Sequence, residues 1–357
     1  MKKFKIDLLS DTVTLPPKGM REAMASAEVG DDVYHEDPNV NKLQEIAARK
    51  VGKEDSLFVP SGTMGNLIAI LTHCRKSDEV IISPKAHIYD NTISGMSALA
   101  GVQPYTMIHE DENGMIPKEI EKWVQKPEDL HYADTKLICL ANPRNHVGGT
   151  VVSVERIDEI CKIAKKNNVL VHLDGARIFN ATIALKVDVK EIVKNVDSVM
   201  FCLSKGLSAP VGSILAGNKE FIKRANKNRK MLGGGMRQAG ILAAAGIFAL
   251  DNMVDRLEED HKNAKLLGLG LSKIKGIDID LDTVQTNMVY FDVTKLINNL
   301  GISFEQFSNE LASYGIRGSQ EDPANLNEIR FVTHYGISEE DIYTTINTIK
   351  MISKSIS

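Results

Sequence analysis

Two ionisable residues stand just beyond two apolar, strand-like runs of this sequence. Lys205 follows the run 199–203 after one serine, and Asp174 follows the run 169–173. Because open α/β sheets bind ligands at the carboxyl ends of their strands, both side chains are expected at one site. An amine beside a carboxylate suits pyridoxal phosphate, since the lysine can hold the aldehyde as a Schiff base and the aspartate can keep the pyridine nitrogen protonated. Either residue alone is more simply an ordinary loop charge.

Other residues at predicted strand ends could serve the same ligand. Ser61-Gly62-Thr63-Met64 opens a helix, where small residues let backbone N–H groups approach a phosphate, although a simple N-cap is the alternative. His87 could stack on a ring or move a proton near neutral pH. Arg330 lies in a short apolar strand, and its guanidinium matches the carboxylate of an amino acid. Lone histidines are more often loop or core residues, an alternative that applies to His87, His131, His172 and His334.

Strands and helices alternate over most of the chain, which predicts a mainly parallel, doubly wound sheet. Its seven strands are expected near 56–59, 79–82, 102–106, 136–141, 169–173, 198–203 and 212–216. Helices are expected near 18–27, 40–51, 63–74, 89–100, 117–124, 154–167, 188–195, 218–228 and 238–260. Strands near 277–280, 286–292 and 328–333 and helices near 304–313 and 338–353 predict a smaller α+β domain. The predicted domains are an N-terminal segment 1–15 near the small domain, a large domain 16–250 and a small domain 251–357.

Composition and charge exclude several classes of protein. At 357 residues the chain is longer than one core usually supports, which agrees with two domains. A net charge of −4 gives no general attraction to nucleic acid or to an anionic membrane. The sequence has no stretch that approaches a membrane span and no apolar signal core. Four cysteines without metal-ligand spacing indicate reduced thiols, so a cytoplasmic protein without a metal site is expected.

The sequence resembles the low-specificity L-threonine aldolases, a family of pyridoxal-phosphate enzymes. The resemblance covers nearly the whole chain. The blocks that carry it are Ser10–Thr14, Glu28–Tyr34, Phe58–Asn66, His172–Asn180, Cys202–Leu207, Arg229–Gln238 and Ile329–His334. It implies the α/β architecture of aspartate aminotransferase, known as fold type I. In that fold a large domain with a mainly parallel seven-stranded sheet is joined to a smaller C-terminal α+β domain.

The resemblance also implies a role for each matching residue. Lys205 would be the Schiff-base lysine, Asp174 would partner the pyridine nitrogen, and both would be catalytic together with His87 and His131. Other cofactor contacts would come from Ser61, Gly62, Thr63, Met64, His87, Arg177, Ser204, Lys230 and Arg237. Ser10 and Arg330 would bind the substrate carboxylate, and Arg177 would contact either that carboxylate or the phenolic oxygen of the cofactor. Because Lys230 and Arg237 would reach a neighbouring subunit, a homo-oligomer is implied, commonly a tetramer built as a dimer of dimers.

Three positions depart from the family pattern. Leu9 stands where the family usually has arginine, and Thr92 where it usually has glutamate. The family segment Glu-Asn-Thr-His-Asn is replaced by Ala141-Asn142-Pro143-Arg144-Asn145, which removes an acid and a histidine and adds Arg144. The lysine, the aspartate and the phosphate loop are retained, so these departures bear on substrate choice and proton handling.

The implied reaction is retro-aldol cleavage of L-threonine or L-allo-threonine to glycine and acetaldehyde. The base would be His87, His131 or a water held by them. The altered segment leaves open another reaction on the same scaffold, namely β-elimination, transamination or a transaldolase-type exchange. A non-catalytic protein that keeps the scaffold is a further alternative, but it would have no need of Lys205, Asp174 and Arg177 together.

Overall fold

A computed structural model describes residues 4–125, 130–320 and 327–354 of the chain. The chain divides into two compact units. The larger comprises Pro16–His146 and Val151–Val254, and the smaller comprises Met1–Leu15, Val147–Thr150 and Asp255–Ser357. Within the described ranges, none of the helices combines the length and the apolar character that crossing a membrane requires.

The larger unit is built on a seven-stranded sheet, as the sequence predicts. In chain order the strands are β1 (Asp55–Val59), β2 (Glu79–Ile82), β3 (Gln103–Thr106), β4 (Thr135–Ala141), β5 (Leu170–Asp174), β6 (Ser198–Cys202) and β7 (Ser213–Gly217). Their order across the sheet is β1-β7-β6-β5-β4-β2-β3. Strand β7 runs antiparallel to β1 and β6, whereas the other neighbours are parallel. The prediction of a mainly parallel α/β sheet is confirmed.

The apolar strand sequences are explained by helices that pack on the sheet. Every residue of β2, β6 and β7 is buried, as is usual for a sheet covered on both faces. Leu57 of β1 and Met200 of β6 pack in one cluster with Ile68 of helix Gly62–His73 and Phe221 of helix Lys219–Met231. Val80 of β2 and Leu137 of β4 belong to a second cluster. This packing fixes the strand ends that carry the candidate site.

The helices of the larger unit follow the predicted pattern in most places. They are Lys18–Ala25, Pro38–Val51, Gly62–His73, His87–Asp90, Gly95–Ala98, Pro117–Trp123, Val154–Lys166, Ile178–Leu185, Val189–Val193, Lys219–Met231 and Gly240–Asn252. A short hairpin, Glu110–Asp111 with Gly114–Met115, precedes Pro117–Trp123.

The predicted helix over 89–100 is wrong. Two short helices, His87–Asp90 and Gly95–Ala98, take its place. Ile93 and Ser94 between them have positive φ angles of 51° and 55°. A left-handed backbone at two successive residues cannot continue a right-handed helix, and neither residue is a glycine, the type that usually signals this conformation.

The predicted helix over 238–260 is also wrong. Gly240–Asn252 ends in the larger unit, and Leu257–Leu271 begins in the smaller one. The second helix starts with Glu258, Glu259 and Asp260 in its first turn, where negative charge favours a helix N-terminus. The change from an alanine-rich to a charged sequence therefore marks a new helix.

The smaller unit has an α+β organisation. Strand Glu328–Val332 lies between Met288–Asp292 and Ser319–Gln320 in an antiparallel sheet, and Ile6–Asp7 pairs in parallel with Ile316–Arg317. Its described helices are Leu257–Leu271, Thr294–Leu300, Phe304–Ser313 and Glu339–Ile352. A separate apolar core includes Leu267, Phe291 and Phe331.

Three further elements differ from the predicted pattern. Residues 277–280 do not form a strand, since Asp278 makes only an isolated bridge with Asp292 and the Asp280 side chain caps the turn Leu281–Thr283. Helices Ile178–Leu185 and Thr294–Leu300 lie where the pattern predicts none. The first is buried on most sides and so lacks the apolar periodicity that identifies an amphipathic helix.

Candidate active site

Asp174 and Lys205 lie at the carboxyl ends of neighbouring strands. Asp174 is the last residue of β5, and Lys205 comes three residues after β6 ends at Cys202. The two strands pair in parallel with Asp174 opposite Met200. After Lys205 the chain turns back through Ser208, which has a φ of 65° and donates its N–H to the Lys205 carbonyl at 2.8 Å. The strand ends are therefore adjacent, as the sequence predicts, and Ser204 lies on the same turn.

His87 lies among the charged groups of these strand ends. Burial lowers the pKa of its imidazole below the usual 6.5, and the Asp174 carboxylate opposes this effect. Lys205, His146 and Arg177 lower the pKa of His87 further. These interactions indicate that each of the four groups lies in the neighbourhood of His87. A half-buried imidazole with a lowered pKa is neutral at pH 7 and can accept a proton.

The loop after β1 forms the start of helix Gly62–His73. Ser61 is its N-cap, and its Oγ accepts a hydrogen bond from the N–H of Met64 at 3.2 Å. A Cβ on Gly62 would lie 2.8 Å from Sγ of Cys202, so only glycine lets this turn approach β6. Thr63 is exposed at the same turn. The first turn of a helix presents backbone N–H groups and positive potential, which suits a phosphate.

The Asp174 carboxylate is held from two sides. Oδ2 accepts from Nδ2 of Asn66 at 2.9 Å, and Oδ1 accepts from the N–H of Ala176 at 3.0 Å. Such donors offset the loss of hydration of a buried carboxylate. A carboxylate has about four acceptor positions, so a protonated ring nitrogen can still donate to it.

The segment that departs from the family pattern contributes to the site in an unexpected way. Arg144 is bound to the hairpin: its guanidinium donates to the carbonyls of Asp111, at 3.1 Å, and Glu112. Asn145 instead accepts from Nη1 of Arg177 at 2.9 Å, and its Nδ2 lies 3.2 Å from Nε2 of His146. The sequence pattern does not single out His146. The one sequence feature that could have drawn attention to His146 is its position directly after the altered segment.

Three further predicted residues occupy other elements of the larger unit. His131 precedes the amino end of β4 and is exposed, whereas the cluster follows carboxyl ends. Lys230 is in the last turn of helix Lys219–Met231, and Arg237 follows a glycine-rich loop, where its Nη1 donates to Oδ2 of Asp31 at 2.9 Å. The roles of all three stay predictions.

Ser10 and Arg330 belong to the smaller unit, and they lie close together there. Arg330, on strand Glu328–Val332, donates from Nη2 to the Leu9 carbonyl at 3.1 Å. Nε2 of His334 lies 2.9 Å from the Asp7 carbonyl in the same segment. Ser10 caps the short turn Asp11–Val13 through its Oγ. The segment that carries Ser10 is thus anchored beside Arg330, which is the arrangement a shared carboxylate ligand needs.

The donors at the strand ends of the larger unit fit pyridoxal phosphate. A helix N-terminus with a glycine turn suits its phosphate, and the buried Asp174 suits its ring nitrogen. Lys205 supplies the amine for its aldehyde, and His87 supplies a flat ring at the same edge.

Comparisons with known proteins agree with this chemistry. A family model described as beta-eliminating lyase matches residues 7–294. The low-specificity L-threonine aldolase 1 of Arabidopsis thaliana is 44% identical over 347 residues, which cover 96% of this chain and 94% of the plant protein. The low specificity L-threonine aldolase of Escherichia coli K12 is 46% identical over 288 residues, 81% of this chain and 84% of the bacterial one.

A solved structure shares the fold. The threonine aldolase of Leishmania major superposes with a TM-score of 0.81 at 19% identity, covering 98% of this chain and 99% of that chain. The resemblance read from the sequence blocks is confirmed. The chain belongs to the beta-eliminating lyase family, and it is a pyridoxal-phosphate-dependent lyase with the fold type I architecture of the threonine aldolases.

Proposed function

We propose that the protein cleaves the Cα–Cβ bond of β-hydroxy-α-amino acids, with L-threonine and L-allo-threonine giving glycine and acetaldehyde. The names of its relatives support this reaction. The observation that carries it is the cluster of His87 with Asp174, Lys205 and Arg177, because it combines an amine, a cation-stabilising carboxylate and a neutral base. When bound, pyridoxal phosphate supplies an aldehyde that combines with amines and a cationic ring that accepts the electrons of the broken bond.

Residues of the larger unit would hold the cofactor. Ser61, Gly62, Thr63 and Met64 would bind its phosphate through the helix N-terminus. Asp174 would accept a hydrogen bond from the ring nitrogen and favour its protonated form. Lys205 would bind the aldehyde, with Ser204 beside it, and His87 would lie on the face of the ring.

His87 would take the β-hydroxyl proton of the substrate. Its lowered pKa keeps the imidazole neutral at pH 7, which is the form that accepts a proton. His146 is close enough to lower the pKa of His87, while His131 is the alternative base that the family resemblance suggests.

Ser10 and Arg330 would bind the substrate carboxylate, and Arg177 would assist them or contact the phenolic oxygen of the cofactor. A guanidinium and a hydroxyl that fix the carboxylate also fix the direction of the Cα–Cβ bond. The Arg330→Ala variant should therefore bind cofactor normally and show a much higher KM for threonine. An unchanged KM would rule out this carboxylate site.

The reaction is tested by supplying L-threonine and L-allo-threonine to the purified protein and measuring acetaldehyde and glycine together. Equal amounts of both products are expected, and the Lys205→Ala variant should form neither. Formation of 2-oxobutyrate would indicate β-elimination, and pyridoxamine phosphate would indicate transamination. Absence of acetaldehyde from both isomers would refute the proposal.

We further propose that the protein forms a homo-oligomer, a tetramer built as a dimer of dimers. In it, Lys230 and Arg237 reach the cofactor of a neighbouring subunit. Two inactive variants, Lys205→Ala and Arg237→Ala, are co-expressed with different tags and the mixed oligomer is purified. A shared site predicts recovered activity, because one of its sites combines an intact Lys205 with an intact Arg237. No recovery would place both residues in one subunit's site. The cytoplasmic location stays a prediction.

A further inference from the structure

A line of polar side chains, buried except for the partly exposed His73 at its far end, runs from Asp174 through the larger unit. Asn66 donates to Asp174, and its Oδ1 lies 2.9 Å from Nε2 of His172. Nδ1 of His172 lies 2.8 Å from Oγ of Ser198, which lies 2.7 Å from Nε2 of His73. We call Asn66, His172, Ser198 and His73 the polar chain.

The spacing of these residues explains how they meet. His172 and Asp174 are two residues apart on β5 and so share a face of the sheet. Ser198 of β6 pairs directly with His172. Asn66 and His73 are seven residues apart on helix Gly62–His73, which is two helical turns and the same side. Neighbouring elements thus deliver all four side chains to one line.

The protonation of both histidines is set by burial. Asn66, His172 and Ser198 are at most 1% exposed. Burial lowers the pKa of His172 to about 4, against the opposing Asp174 carboxylate, and lowers that of His73 to about 3. Both imidazoles are therefore neutral at pH 7, and each has one donor and one acceptor nitrogen.

The carboxylate then fixes the direction of every hydrogen bond. An ionised Asp174 only accepts, so the Asn66 amide donates to it and turns Oδ1 towards His172. His172 then donates from Nε2, and its Nδ1 accepts from the Ser198 hydroxyl; the Ser198 backbone, which raises the pKa of His172, is the competing partner of Nδ1. Ser198 in turn accepts from Nε2 of His73, which leaves Nδ1 of His73 without a proton. Among the described residues, Nδ1 of His73 has no hydrogen-bond partner, so no acceptor is in place that would call for a proton there.

Polar groups with a purely structural role would meet the hydrogen-bonding needs of one another and would not extend to a ligand site. This one is directed at the carboxylate, and hydrogen bonds in a low-dielectric interior polarise one another along a chain. Four polar side chains in an apolar core also contribute less to stability than well-packed apolar ones would. These features favour a function connected with Asp174.

We propose that the polar chain positions the Asp174 carboxylate, so that it accepts the hydrogen bond of the cofactor's ring nitrogen. The inference rests on the proposed binding of pyridoxal phosphate at Asp174. A donor to a carboxylate stabilises its charged form and lowers its affinity for a proton. Asn66, His172, Ser198 and His73 are then positioning residues. Loss of a link should loosen the hydrogen bond between Asp174 and the ring nitrogen and so disfavour the protonated ring, with an effect that weakens along the chain from Asn66 to His73.

The assignment is tested first in the wild-type holoenzyme by ¹⁵N NMR of ¹⁵N-histidine-labelled protein. His172 and His73 should each show a protonated Nε2 and an unprotonated Nδ1 at pH 7. A protonated Nδ1 on His172 would reverse the chain and overturn the proposal. This measurement does not depend on the folding of any variant.

The function of the chain is tested with Asn66→Ala, Ser198→Ala and His73→Phe loaded with cofactor ¹⁵N-labelled at the ring nitrogen. The ring-nitrogen shift should move towards the unprotonated value, most in Asn66→Ala and least in His73→Phe, and cofactor affinity should fall about tenfold in Asn66→Ala. Thr72→Val is the matched control, since it removes a buried hydroxyl beside His73 that bonds to Ile68 and Asn228.

Two failures can be told apart. Wild-type protein that binds no cofactor would remove the proposed function and this inference with it. Wild-type protein that binds cofactor, with Ser198→Ala and Asn66→Ala giving the same ring-nitrogen shift as Thr72→Val, would overturn the polar chain alone. If Asn66→Ala does not fold, Ser198→Ala decides, because it removes a single oxygen atom.

Discussion

At the scale of single residues, the candidate site depends on placing a neutral base among charges. His87 is next to two cations and a carboxylate, and burial is the largest influence on its pKa. Burial alone would make the imidazole a weak base, but Asp174 nearby partly restores its basicity. The residue can therefore take a proton at neutral pH and release it again.

The His87→Phe variant should lower kcat by about 10²–10⁴-fold, the usual contribution of a general base. Since the pKa of His87 is lowered from 6.5, the acid limb of kcat/KM in the wild type should lie below pH 6.5. That limb should be missing from the residual activity of the variant. The exposed His109→Asn change is the control and should leave the pH profile in place. A wild-type limb above pH 6.5 would contradict the assignment.

Gly62 shows how one residue can limit the approach of two elements. A Cβ here would lie 2.8 Å from Sγ of Cys202 and 3.2 Å from Cε of Met200. The Gly62→Ala change should therefore cost about 1–3 kcal/mol in the free energy of unfolding, as overpacked cores do. Urea unfolding measures this loss, and cofactor titration should show weaker binding.

The companion variant Gly62→Ala/Cys202→Ala separates crowding from other causes. Removing the sulfur should recover most of the lost stability, because it is the nearest atom. A double variant as unstable as the single one would show that crowding against Cys202 is not the reason.

At the scale of elements, helix Gly62–His73 serves the site at two levels. Its first turn faces the strand ends, and Asn66 and His73 present polar groups to the sheet two turns apart. Ile68 and Ala69 of the same helix pack in the apolar core. One element thus connects the loop proposed to bind the phosphate with the side chain that orients Asp174.

Helix Lys219–Met231 is tied to the loop Glu28–Asp37 by a buried ion pair. Nη1 of Arg229 lies 3.0 Å from Oδ2 of Asp32 and donates to the Phe58 carbonyl at 2.8 Å. Burial raises the pKa of Asp32, and Arg229 opposes that rise. The pair holds the helix end that carries Lys230, one of the residues proposed to reach a neighbouring subunit.

The Arg229→Met variant should lose about 3–5 kcal/mol of stability, because Asp32 is left buried without its partner. In the double variant Arg229→Met/Asp32→Leu no charge is left uncompensated, so most of that stability should return. Chemical unfolding of the two variants measures the difference. Equal losses in both would show that the Asp32 charge is not what destabilises Arg229→Met.

At the scale of the whole molecule, buried neutral histidines make stability depend on pH. The folded pKa values of His73 and His172 are about 3 and 4, below the unfolded value of 6.5, and burial is the main cause. As the pH falls below 6.5, the unfolded chain binds protons that the folded one does not, so stability is lost. Asp260 of the smaller unit acts in the opposite sense, since burial raises its pKa to about 6.

The free energy of unfolding should therefore fall as the pH is lowered from 6.5 to 4. In the His73→Phe variant it should fall less steeply. One such histidine changes the free energy of unfolding by about 1.4 kcal/mol per pH unit, over the range in which it is charged in the unfolded chain and neutral in the folded one. Urea titrations at several pH values measure the slopes, with His109→Asn as the exposed control. Parallel slopes for wild type and His73→Phe would contradict the burial of a neutral His73.

Much of the fold and of the candidate site follows from the sequence alone. All seven strands of the large sheet are predicted near their observed positions, because a strand covered on both faces must be apolar throughout. Lys205 and Asp174 are recognised for the same reason: each is a charge that ends or follows such a run. The matching blocks identify the family without reference to the structure.

The tertiary structure decides what depends on residues far apart in the chain. Asn66 meets Asp174 across 108 positions, and His73 meets Ser198 across 125, so local patterns carry no sign of the polar chain. His146 influences the pKa of His87, and Arg144 binds the hairpin, through contacts between residues far apart in the chain. Burial and hydrogen bonding at these positions are set by the packing of neighbouring elements. The sequence therefore determines the strands and the cofactor chemistry, whereas packing determines how Asp174 is held and which histidines stand beside His87.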